Sequence, residues 1–112
     1  MRSMSADLPA ASEVRDSLLD DLHHEGHQGL WEVVWALNTQ CPEVPLADKL
    51  ALARAVVFDL LQSGQIELRK IAWPEHDGPS LTAEQRARLQ HDDAPWYDPE
   101  SSAAFLVQVN SA

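Results

Sequence analysis

Three stretches of the 112-residue chain hold side chains that could do chemistry: His23-His24-Glu25-Gly26-His27, Cys41, and His91-Asp92-Asp93. Imidazoles and a carboxylate at one-turn spacing on a helix can hold a metal and activate water, as in the H-E-x-x-H pattern. Here the histidine after His24-Glu25 falls one position early. His23 and His27 keep the i,i+4 spacing, but Gly26 between them favours the end of the helix that would align them. A solvated cluster at a helix C-terminus, where the helix dipole favours cations, is therefore expected, with no metal. Cys41 precedes Pro42 with no base beside it, so a small buried thiol is expected in place of a nucleophile. His91-Asp92-Asp93 could orient an imidazole, but no serine or cysteine nucleophile signature accompanies it. The glycines at 26, 29, 64 and 78 form no phosphate-binding loop. The sequence predicts no catalytic residue, no cofactor and no small-molecule ligand.

Binding chemistry is the alternative, and charge constrains it. Eighteen acids against eight bases give a net charge of −10. Such a field repels nucleic-acid phosphates and favours a basic partner. Residues 1–28 carry six acids and two bases, and residues 74–100 carry seven and two. No run approaches the ~20 apolar residues of a membrane span. One cysteine leaves no internal disulfide, and the N-terminal stretch lacks the apolar core of a secretory signal. A cytoplasmic protein is expected.

The elements that must position these residues follow from periodicity. Ser12 can cap a first helix carrying Val14, Leu18, Leu19 and Leu22 on one face, closed by Gly26 and Gly29. Leu30 to about Gln40 reads as a second helix, ended by Cys41-Pro42, because proline disfavours helix in the residue before it. Leu46 to Ser63 reads as a third, with Leu46, Leu50, Ala53, Val57, Leu60 and Leu61 toward the core and Gly64 after its end. Gln65 to Trp73 reads as a strand, with a shift of parity before Ile71 and Trp73. Thr82-x-x-Gln85 is a capping box for a short fourth helix. The alternation in AFLVQVN, residues 104–110, predicts a second strand. Residues 1–11 read as a flexible tail and residues 12–112 as one domain. The expected class is mainly α with a small β-hairpin (α+β), in the order α-α-α-β-α-β.

The stretch from Asp59 to Lys70, a helix turning through Ser63-Gly64 into Ile66-Glu67-Leu68-Arg69, resembles the entry to the wing of a winged-helix (helix-turn-helix) domain. The resemblance lies in element order over about residues 12–73 and 103–110, with residues 74–102 a helical insertion within the wing. It implies a third helix placed to read DNA, with Lys49, Arg54, Arg69 and Lys70 on one face of a dimeric transcriptional regulator. The outward face of that helix offers Ala47, Ala51, Ala55 and Phe58, and only the late Gln62 belongs to the arginine, lysine, asparagine and glutamine set that reads base edges. The preferred function is a non-catalytic, acidic protein-interaction module, of the inhibitor or immunity type, masking a basic protein surface or pairing with itself as a homodimer. Its contact residues would be Trp31, Trp35, Ala47, Ala51, Phe58, Trp96 and Tyr97. At least one of Trp31 and Trp35 is expected to stay partly exposed, with Trp31 slightly preferred as the contact residue. Trp96 and Tyr97, between two prolines, are either a clamp on the core or a rigid contact loop.

Overall fold

A computed structural model describes residues 8–71, 78–98 and 104–108. The order of elements is α1 (Ala11–Glu25), β1 (His27–Gly29), α2 (Leu30–Gln40), α3 (Leu46–Gln62), β2 (Ile66–Lys70), α4 (Ala83–Leu89), a 3-10 turn (Ala94–Trp96) and β3 (Ala104–Gln108). The chain is mainly α with a small antiparallel sheet, as the sequence predicts. Two corrections concern its first third. His27–Gly29 is a strand, not a connection, so the sheet has three strands in the order β1-β3-β2. The cap of α1 is Ala10, not Ser12. Glu13 reaches back to accept the Ala10 N–H at 3.1 Å, which satisfies the helix start before Ser12 can. Of the expected tail at residues 1–11, residues 1–7 lie outside the described residues, as do Trp73 and the ends of segment 74–102, while Ala10 caps α1 and Ala11 begins it.

Local chemistry sets the other boundaries. In α2, Glu32 accepts the Gly29 N–H at 2.7 Å, and the helix stops at Cys41 before Pro42. At the end of α3 the Gln65 N–H donates to the Leu60 carbonyl at 3.0 Å, and the Gly64 N–H to the Leu61 carbonyl at 3.1 Å. That pair of bonds is the Schellman closure, which needs a left-handed residue. Gly64, at φ 79°, supplies it. Thr82 and Gln85 form the reciprocal capping box of α4: Gln85 N–H donates to Thr82 Oγ1 at 3.1 Å, and Thr82 N–H to Gln85 Oε1 at 2.8 Å.

The sheet brings distant segments together. Residue 28 of β1 pairs with residue 106 of β3, and residue 68 of β2 pairs with the same position from the other side. The outer edge of β2 is covered by residues 79–81, through Lys70 N–H to Pro79 O at 2.8 Å and Leu81 N–H to Leu68 O at 2.9 Å. Above the sheet, Leu18 and Leu22 of α1, Leu30, Val34 and Leu37 of α2, and Ala53, Val57 and Leu60 of α3 form one core with Ile66 and Leu68. Leu81, Leu89 and Trp96 extend it into the segment between β2 and β3. Leu46, expected in this core, is exposed, whereas Val56 is buried. Side chains lean toward the helix N-terminus, so the first residue of α3 leans past its neighbours. Among the described residues no helix is long and apolar enough to cross a membrane.

Candidate interaction surface

The segment between β2 and β3 is fastened to α3 by Arg54 and Trp96. Trp96 is fully buried, and its Nε1–H donates to the Leu89 carbonyl at 2.8 Å. That carbonyl also accepts Arg54 Nε–H at 3.1 Å, which satisfies one of the open acceptors at the end of α4. Arg54 Nη2 donates to the Asp92 carbonyl at 2.9 Å and to the Asp93 carboxylate at 2.6 Å. The guanidinium lies 5.6 Å from the centre of the Trp96 ring, within cation–π range. Phe58 packs on the same indole at 6.3 Å with a 46° tilt, so it is half-buried. Trp96 is thus the clamp of the two readings its sequence context allowed. The signal for Arg54 lay in the sequence as an arginine on α3 and an acidic pair after a helix end. Pairing them needed the third dimension.

Trp35 and Tyr97 form the other face of this junction. Trp35, on α2, is 46% exposed, and Tyr97, directly after the 3-10 turn, is 42% exposed. Trp35 Nε1–H donates to the Tyr97 backbone carbonyl at 3.3 Å, which ties the Trp35 indole to the backbone of the second exposed aromatic residue. An indole with one face in water and its N–H already satisfied is a suitable anchor, because binding then desolvates only apolar area. Trp31, one turn earlier, is half-buried. Its ring lies so close to the backbone of Gly29 that a Cβ there would collide with it, so its indole leans back over β1. Ala47 and Ala51 are exposed on α3, as is Ala55.

The four bases of the DNA reading are not gathered on one open face. Lys49 is 4% exposed, and its ammonium donates to Asn38 Oδ1 at 2.8 Å, so it lies in the seam between α2 and α3 instead of on a flank. Arg54 is engaged as described. Arg69 pairs with Glu67 at 2.6 Å within β2, and Lys70 is exposed at the end of that strand. Elsewhere Arg15 pairs with Asp59 at 2.9 Å and Arg88 with Glu84 at 3.0 Å, while Arg86 donates to the Leu81 carbonyl at 2.7 Å. Much of the small positive charge is neutralised or buried within the molecule.

The chemistry-bearing stretches are placed apart. Gly26 ends α1, so His23 and His24 lie on the helix and His27 begins β1. Among the described residues no three histidine, cysteine or acidic side chains gather as a metal site. His24 Nδ1–H donates to the Asp20 carbonyl at 2.8 Å, and the Asp20 carboxylate lies 3.7 Å away. The backbone bond first, and the carboxylate second, raise the imidazole pKa above its ordinary value. Cys41 is a free, buried thiol. Compared with protein-family models, with curated proteins and with solved structures, the chain matches none.

Proposed function

We propose that the chain is a winged-helix-like domain working as an acidic protein-binding module, with Trp35 and Tyr97 at the centre of its contact surface. Three helices leading through the Gly64 turn into the antiparallel β2–β3 pair support the winged-helix reading. The observation that carries the function is the hydrogen-bonded, half-exposed Trp35–Tyr97 pair on a protein of net charge −10. A basic protein surface complements that charge, steers the encounter, and leaves the aromatic pair to supply the desolvated contact. Masking such a surface on a toxin or another enzyme is the role this chemistry suits.

The test is copurification from native cells, after nuclease treatment, with wild type beside Trp35→Ala and Tyr97→Ala. A basic protein retained by wild type, released by raised salt and lost from both variants is the expected result. Recovery unaffected by either substitution would remove this surface from the function. Sedimentation of the same proteins separates a heterologous partner from a homodimer.

A second reading, a dimeric DNA-binding regulator, is favoured by one observation: Arg69 and exposed Lys70 stand where the chain enters the wing. Lys49 and Arg54, held internally, weigh against it. A footprint on duplex DNA surviving about 0.15 M salt and lost in Arg69→Ala/Lys70→Ala would put this reading first.

A further inference from the structure

We propose that the seam between α1 and α2 binds a primary ammonium group carried on a short apolar stem. A cavity of about 100 Å³ opens there, lined by Glu13, Ser17 and Asp21 of α1, Gln28 of β1, and the apolar side chains of Leu18 and Leu37. A single water needs only about 10–15 Å³ of such space, so the cavity has room for several non-hydrogen atoms.

Gln28 supplies the reason to expect an occupant. It is 7% exposed, and its Oε1 is buried with no hydrogen-bond donor among the described residues. Buried polar atoms in folded proteins are nearly always satisfied, so an acceptor left over beside a cavity points to a donor from outside. Two carboxylates on the same lining select a cation over a neutral or anionic donor. An ammonium carries three N–H groups and no acceptor, which suits an amide oxygen and carboxylates together. Leu18 and Leu37 provide apolar wall for a methylene stem, and the small volume excludes a bulky one. The site lies on the flank of α2 that carries Leu37 and Gln40, apart from the flank that carries Trp35, so it stands or falls independently of the interaction surface.

A free aliphatic amine and a lysine side chain of another protein present the same group. Amide chemical shifts of the full chain, followed by NMR during titration, distinguish them. The probes are n-butylammonium, butan-1-ol, butanoate and a blocked lysine peptide. The expected result is saturable shifts at Ser17, Gln28 and Leu37 with n-butylammonium, affinity at least about tenfold lower for butan-1-ol, and no binding of butanoate. Matching shifts with the peptide assign the site to a lysine side chain; shifts with n-butylammonium alone assign it to a free amine. Asp21→Asn, which leaves the core untouched, weakens n-butylammonium binding by about tenfold. Gln28→Leu abolishes it while raising the melting temperature, because the unpartnered oxygen is gone. Absence of saturable shifts, equal affinity for the three butyl probes, or full affinity in Asp21→Asn overturns the proposal.

Discussion

Trp96 and Trp35 present the same indole at the same short turn, and each donates its N–H to a backbone carbonyl. One is sealed and the other stands half in water. Trp96 is enclosed because Arg54 and Phe58 of α3 and the Leu89 carbonyl at the end of α4 approach it from two elements. Trp35 has the Tyr97 segment as its hydrogen-bonded neighbour and faces outward from α2. Enclosure from two sides makes an aromatic side chain a fastening, whereas half-exposure leaves it available as a surface. The residue type decides neither outcome.

The contrast can be broken most decisively at Trp96. Trp96→Ala removes a fully buried side chain and is expected to cost about 3–5 kcal/mol, read as a lowered denaturation midpoint. A midpoint equal to wild type would mean that the insertion does not depend on this clamp. Arg54→Ala removes the bonds to Leu89, Asp92 and Asp93 together with the cation–π contact. A loss of about 1.5–3 kcal/mol is expected. Arg54→Lys should recover little of it, since an ammonium cannot span those three acceptors as a guanidinium does.

Trp35→Ala sharpens the contrast from the other side. It removes a half-exposed ring with one long hydrogen bond, so denaturant titration should place the change within about 1 kcal/mol. A cost approaching that of Trp96→Ala would make both indoles structural and move the contact surface elsewhere. The smallest effect, remote from both indoles, provides a baseline. His24 gains protonated-state stabilisation from the Asp20 carbonyl and carboxylate, so its folded pKa lies above the ordinary 6.5. Its contribution is fully present below that ordinary value and is lost as pH rises through the raised one. The melting-temperature difference between wild type and His24→Ala should therefore shrink across that window, and a difference that grows with pH would refute the assignment.

Much of this architecture was legible because its signals are local. Gly64, Thr82-x-x-Gln85 and Cys41-Pro42 each act on neighbours within a few residues, and the structure places helix boundaries at all three. The strand β1 was not legible. Three residues, His27-Gln28-Gly29, are too few to show a period, and they become a strand only because β3 arrives beside them. Lys49 counted among the DNA-face bases because nothing local announces Asn38 as its partner. The slight preference for Trp31 over Trp35 had nothing local to rest on, since both border the same apolar arc, and it is Trp35 that is the more exposed. The lean of Trp31 over Gly29 separates them, and that depends on β1.

The sheet has a further consequence, for the order of assembly during synthesis. β3 lies between β1 and β2 in space but follows both in sequence. As the chain leaves the ribosome, α1, α2 and α3 can pack on one another while β1 has no ladder and β2 has only the Pro79–Leu81 segment along one edge. The three-stranded sheet then closes when Ala104–Gln108 inserts and pairs on both sides at once. Its closure joins positions as far apart as 27 and 107, and contacts of such separation form slowly. This topology favours early packing of the helices and late entry of the central strand.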